Sequence, residues 1–231
     1  MSVRIDRILQ LSNKRDFYNA IKAFDKAIEI DPGFIKAYFV RGLTYSRLGD
    51  KQRAMGDLNR TIELDSQFAG AYNARGNVYT SMNNSPLAIK DFEKAIVLDP
   101  NLAESYCNRG VLRVQVGEYK RAMADLDRAI RLNPEYAEAF VFRGVALGLT
   151  GNRIDGIKDL DRGVEILEQS ISRDPRIEKE MASFLSMAYF FQGTNYISVN
   201  KTEQGIGSLK KAARLGNNQA QDSLRSKGIE W

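Results

Sequence analysis

Small and bulky apolar residues return along this chain at one fixed interval of 34 residues. With Ile35, Ala69, Ala103 and Ala137 as first positions of four units, position 4 is Tyr38, Tyr72, Tyr106 and Phe140. Position 8 is Gly42, Gly76, Gly110 and Gly144, and position 20 is Ala54, Ala88, Ala122 and Gly156. Position 24 is Leu58, Phe92, Leu126 and Leu160, and position 27 is Thr61, Ala95, Ala129 and Gly163. The helical spacing predicts two amphipathic helices per unit. Position 15, which is Gly49, Asn83, Gly117 and Gly151, suits a positive-φ turn between them. The units close near Asp65-Ser66, Asp99-Pro100 and Asn133-Pro134. At the last two a proline, lacking an amide donor, stops the second helix. Small residues at positions 8, 20 and 27 allow close approach, and bulky ones at 4 and 24 fill the gaps.

This pattern resembles the tetratricopeptide repeat directly over roughly residues 1–170. The resemblance implies an all-α fold, a right-handed α-solenoid of stacked antiparallel helix pairs in which each unit touches only its neighbours. The expected organisation is one solenoid over residues 1–231, with a degenerate first repeat at 1–34 and full units at 35–68, 69–102, 103–136 and 137–170. Residues 171–231 are expected to form a divergent repeat and a capping helix. In the first repeat, Phe17 to Pro32 matches a second helix through Ala20, Phe24, Ala27 and Asp31-Pro32. Its first helix, at about residues 3–12, lacks the glycine and the aromatic and reads as an atypical cap. Beyond residue 153 the second helix meets no proline at position 32 and is expected to run through Leu167 towards Ser172. Asp174-Pro175 starts a further helix, read as ending near Gly193, and Thr194 to Asn200 reads as an insertion that lengthens the next turn. With Tyr196 and Ile197 in it, that insertion is a candidate second contact site. Gly205, Leu209 and Ala212 resume the second-helix spacing, and Lys211 to Gln221 resembles the Sel1-like variant of the repeat.

One departure from the family is systematic. Position 7, usually Leu, is Arg41, Arg75, Arg109 and Arg143, and position 23, sixteen residues later, is Asp57, Asp91, Asp125 and Asp159. An ion pair between the two helices of each unit is expected. The functional alternative is that these arginines hold a phosphate or an acidic partner. Lys26, Arg60, Lys94, Arg128 and Arg162 recur at position 26 and read as a solvated face, screened by carboxylates one or three residues earlier.

Composition narrows the chemistry. The chain of 231 residues is 43% hydrophobic and 27% charged, ordinary for a folded protein. It has no His and one Cys, which removes the commonest general base, a multi-cysteine metal site and an intrachain disulfide. No nucleophile motif or phosphate-binding glycine loop occurs, so the chain is not read as an enzyme and no cofactor or metal is expected. The net charge of +5 is spread among mixed charges rather than gathered in a stripe. A nucleic-acid-binding helical repeat therefore stands as the alternative rather than the first reading. No run approaches the ~20 apolar residues of a membrane span, and the N-terminus lacks the apolar core of a signal peptide. A cytoplasmic location is the default expectation.

The resemblance also implies a binding surface. Family positions 2, 5, 6, 9, 12 and 13 tend to line a concave groove, and here they include Phe39, Leu43, Asn73, Asn77, Cys107, Asn108, Val111 and Phe142, with Val141 and Val145. Asn side chains donate to and accept from a peptide backbone, beside apolar positions for its side chains. The expected partner is a protein or peptide, and the expected role that of an interaction scaffold or adaptor, as in family members that act as assembly factors or co-chaperones. The family's clamp for a C-terminal carboxylate needs three cations, but Asn73, Glu138 and Phe142 stand at those places, so that clamp is not expected. A long helix after residue 153 is the alternative cover for Phe142 and Val145, which would make them core, and Cys107 reads as a small hydrophobe with no reactive role.

Overall fold

The computed structural model describes residues 14–231, and among them all regular structure is helical. The expected first helix at about residues 3–12 lies outside the described residues. The chain forms two compact units, Met1–Arg109 and Gly110–Trp231. The first contains α1 (Lys14–Ile30), α2 (Ile35–Arg47), α3 (Lys51–Leu64), α4 (Ala69–Ser81), α5 (Ser85–Leu98) and the start of α6 (Ala103–Gln115). The second contains the end of α6, then α7 (Tyr119–Leu132), α8 (Ala137–Leu149), α9 (Arg153–Arg173), a 3-10 turn (Pro175–Ile177), α10 (Glu178–Ser198), α11 (Thr202–Arg214) and α12 (Asn218–Arg225).

The expected size pattern is what packs each pair. In the first unit Ala54, Leu58, Ala88, Phe92 and Ala95 are at most 1% exposed. Burying a Leu or Phe this fully contributes about 1.5–3 kcal/mol each. Glycine at position 8 is a steric requirement: a Cβ on Gly76 would lie 2.6 Å from Cε1 of Phe92. Position 15 carries the turn, with φ of 80° at Gly49 and 58° at Asn83, and 82° and 92° at Gly117 and Gly151 in the second unit. Position 31 ends the pair. The side chains of Asp31, Asp65, Asp99 and Asn133 each accept from the amide two residues on, turning the chain out of the helix.

The C-terminal region differs from the sequence-based expectation in one respect. Thr194 to Asn200 is not an inserted turn, because α10 runs through Ser198 and the turn residue is Asn200, at φ 62°. Gly193 sits against the carbonyl of Gly205 and the side chain of Leu209, as Gly144 sits against Gly156 and Leu160. Gly193 is therefore position 8 of a fifth repeat, with Tyr189 at 4, Asn200 at 15, Gly205 at 20, Leu209 at 24 and Ala212 at 27. The spacing of positions within the unit is that of the earlier repeats. The extra residues are instead those between Ser170 and Ser186. They lengthen α9 at its end and α10 at its start, and Asp174-Pro175 turns between them.

Candidate binding surface and the charged staples behind it

In the first unit the expected site residues lie on α2, α4 and α6. Phe39 and Leu43 are half-buried and pack against the cluster of Ile21, Tyr45, Leu58 and Val78. The Phe39 ring also packs on Phe68, the ring centroids 4.7 Å apart and the planes tilted by 51°. Each therefore offers an edge rather than a whole side chain. Asn73 and Asn108 are joined: Asn73 Oδ1 accepts from Asn108 Nδ2 and from the hydroxyl of buried Ser105, each at 3.0 Å. Asn77 is exposed one turn along α4 from Asn73. Cys107 corrects its expected placement. It is 0% exposed and backs the surface as a small core residue, with no area to offer a ligand. Ser105, which fixes the orientation of Asn73, escaped the sequence reading because position 3 is not a groove position in the family.

In the second unit Val111 is half-buried on α6. Phe142 is half-buried and stacks at 5.9 Å on Phe184 of α10. Val141 and Val145 are buried, at 0% and 4% exposed, and belong to the core. The ring that covers Phe142 thus comes from α10 and not from α9, the long helix after residue 153 that was the alternative cover. Glu138, one turn before Phe142, is half-buried, and desolvation holds its carboxyl above the ordinary glutamate range.

The position-7 arginines are consumed in packing. Arg41 donates Nε and Nη2 to both oxygens of Asp57 at 2.8 and 2.7 Å, Arg75 likewise to Asp91 at 2.7 and 2.8 Å, and Arg143 to Asp159 at 2.6 Å twice. These are the expected pairs, in the fork geometry that suits guanidinium. A third bond was not foreseen. Nη1 reaches back to position 25 of the preceding repeat: Asp25 at 2.7 Å, Asn59 at 2.8 Å and Asp127 at 2.6 Å. Arg109 follows the same direction, 3.8 Å from Glu93. Arg41, Arg75 and Arg143 therefore each join their own helix pair to the previous one. The position-4 ring lies under it, at 5.5 Å for Tyr38 and Tyr72 and 5.6 Å for Phe140. Hydrogen bonding to these carboxylates raises the pKa of Arg41, Arg75 and Arg143, so they stay charged. In the second unit Asp125 accepts from Arg113 Nη1 at 2.7 Å. On the position-26 side, Arg60 and Arg162 pair with the carboxylates three residues later, Glu63 and Glu165, rather than earlier.

The fifth repeat replaces this staple with neutral groups. Gln192 stands at position 7 and Ser208 at position 23. Gln192 Nε2 donates to Asp161 at 2.7 Å, and Ser208 Oγ donates to Gln192 Oε1, also at 2.7 Å. Tyr196 OH donates to Asp161 at 2.8 Å, and Tyr189 OH to Glu168. Desolvation first, and then these carboxylates, push the Tyr196 phenol up to about 12 and raise that of Tyr189 as well.

Helix pairs whose arginines are spent internally, and whose first-helix face carries amides and apolar edges, define a helical-repeat protein. Three tetratricopeptide-repeat family models match the chain, over residues 11–34, 23–55 and 76–145. The chain therefore carries tetratricopeptide repeats. No curated protein sequence matches it. Among solved structures, MamA shares 26% identity over 69% of this chain and 93% of that one, at a TM-score of 0.59. YrrB, described as a TPR protein with an unusual peptide-binding site, shares 24% identity over 90% of this chain and all 100% of its own, at 0.64. PilW, described as a widely conserved type IV pilus biogenesis factor, shares 16% identity over 96% and 97%, at 0.75. The fold is that of the tetratricopeptide α-solenoid. No helix among the described residues is long and apolar enough to cross a membrane, and no His, Cys, Asp or Glu group there is arranged to hold a metal ion.

Proposed function

We propose that the chain is a non-catalytic protein-interaction scaffold that holds a peptide or helix of a partner on its first-helix face, as an assembly factor or co-chaperone does. The observation that carries this reading is the amide array of the first unit. Asn73 spends its carbonyl on Ser105 and Asn108, and no described residue bonds Asn73 Nδ2, Asn108 Oδ1 or the Asn77 amide. One donor and one acceptor at fixed spacing, with a third amide a turn away, match the alternation of N–H and C=O along a peptide backbone. The Phe39 and Leu43 edges supply apolar contact for its side chains. YrrB, with its peptide-binding site, supports the reading by analogy of fold.

The test is capture of partners from native extract by wild type and by Asn77→Ala/Asn108→Ala, with the captured protein then purified and its affinity measured. The variant removes two amides and one neutral hydrogen bond, which costs only about 1 kcal/mol of stability. Loss of binding with a thermal midpoint lowered by no more than about 2–4 °C supports the reading. Equal affinity for both proteins moves the site off this face.

A further inference from the structure

The fifth repeat leaves a space where the chain elsewhere places an arginine. In the fourth repeat the guanidinium of Arg143 fills the gap between three helices, held by Asp127 behind, Asp159 beside and the ring of Phe140 below. In the fifth, Gln192 is shorter and uncharged, Ser208 replaces the aspartate, and position 22 is Gly207. What remains is an open cleft of about 400 Å³ among α9, α10 and α11. Its wall includes Asp161, the register counterpart of Asp25 and Asp127. Both of those bind an arginine Nη1, at 2.7 and 2.6 Å. Asp161 is bonded instead to the neutral donors of Gln192 and Tyr196, and no described cation lies in salt-bridge range of it. Glu168 stands on the same side. The ring of Tyr189, counterpart of the Phe140 ring, already attracts a cation: Lys211 Nζ lies 4.8 Å from its centroid. Lys211 reaches in from the rim, its side chain 55% exposed, and donates to Glu168 at 3.3 Å and to the Tyr189 hydroxyl at 3.2 Å.

We propose that this cleft binds the guanidinium of an arginine side chain presented by a partner polypeptide, in the position that the chain's own arginine fills in the earlier repeats. Carboxylate oxygens of Asp161 and Glu168 accept from the fork of N–H donors, and the tyrosine faces take its plane. Lys211 swings outward to admit it. The cleft is larger than one side chain and so also accommodates the residues flanking the arginine. The site lies within the second unit and is independent of the amide array on the first.

The test is an amide NMR titration of the full chain with N-acetyl-arginine methylamide, and with the citrulline analogue, which keeps the shape and loses the charge. Saturable shifts at Gly207, Ser208 and Tyr196, with a dissociation constant of roughly millimolar order, are expected for arginine alone. Asp161→Asn should weaken binding about tenfold. Gln192→Arg/Ser208→Asp restores the internal staple and should abolish binding, with a thermal midpoint at or above that of wild type. Equal shifts with citrulline, undiminished binding by the double variant, or no saturable shift in wild type would each overturn the proposal. A double variant that melts below wild type would do the same, because the space would then not accept an arginine.

Discussion

Asp91→Asn tests the reading of the staples most directly. Asp91 is 5% exposed and receives both Nε and Nη2 of Arg75. The amide keeps one acceptor and turns an NH2 towards a donor, so one charge-assisted bond, worth about 1.5–3 kcal/mol, is lost with the opposing charge. Stranding a fully buried guanidinium costs about 3–5 kcal/mol. Arg75, with 20% of its side chain exposed, regains part of that from water and keeps only the neutral Asn59. A loss of about 2–3 kcal/mol results, or roughly 4–12 °C at about 2–4 °C per kcal/mol for a chain of this size. Asp57→Asn should cost about 1 kcal/mol less, because Arg41 retains a charged partner, Asp25, at 2.7 Å.

The assay is urea and thermal unfolding followed by far-ultraviolet circular dichroism, with both variants beside wild type. Repeat arrays do not always unfold in one step, so the comparison is made on the transition that the variant moves. An unchanged midpoint for Asp91→Asn, or a larger loss for Asp57→Asn, would refute the staple reading. Arg75→Met/Asp91→Leu should recover much of the single-variant loss, because replacing both members of a buried pair by apolar groups leaves no stranded charge.

Gly144→Ala should destabilise by about 1–3 kcal/mol, since its Cβ would lie 2.8 Å from the Gly156 carbonyl; Gly42→Ala, whose nearest contacts are side chains at 3.2 Å, should cost less, and urea titration compares the two. The Glu138 carboxyl has a raised folded-state pKa, so its contribution to stability is full below the unfolded value and is lost as pH rises through the folded one. Glu138→Gln should therefore raise the thermal midpoint near neutral pH and leave it unchanged in acid; no gain at neutral pH contradicts the burial argument. The Tyr196 phenol, pushed from 10.0 to about 12, favours the folded state below pH 10 and ceases to do so as pH rises to about 12. Phenolate absorbance should show a late-titrating component that Tyr196→Phe reduces.

How far this molecule could be read from its sequence depended on whether a physical requirement forced one residue type. The helix pairs from Ile35 to Leu149 were legible because close approach at position 8 favours glycine, strictly so at Gly76, Gly110 and Gly144, and the turn at position 15 takes only a residue that accepts positive φ. The own-repeat half of each staple was legible because a bidentate carboxylate at fixed spacing leaves little choice beyond Asp. Its backward half was not, since a single acceptor suffices there and Asp25, Asn59, Glu93 and Asp127 all provide one. Cys107 misled because a small apolar residue fits equally at a groove position or behind one, and only the packed structure decides.

The fifth repeat escaped for a related reason. Gly193 lies 49 residues beyond Gly144 rather than 34, and the residue before it is Gln instead of Arg. Both marks that made the other units visible fail there at once. The two changes are physically linked. A buried arginine at position 7 is tolerable only if acceptors meet it from two neighbouring second helices, its own-repeat partner being a carboxylate, so repeats that carry one must stack at one spacing. The residues between Ser170 and Ser186 extend α9 and α10 past the usual end of a unit, and the staple is absent at that junction. Gln192 and Ser208 need no counter-charge, which lets the fifth pair join the fourth through neutral bonds. It also leaves Asp161 in a place where the chain elsewhere supplies a cation. Interruption of the charged ladder and creation of the cleft are then one event, and restoring Arg and Asp at those two positions should reverse both.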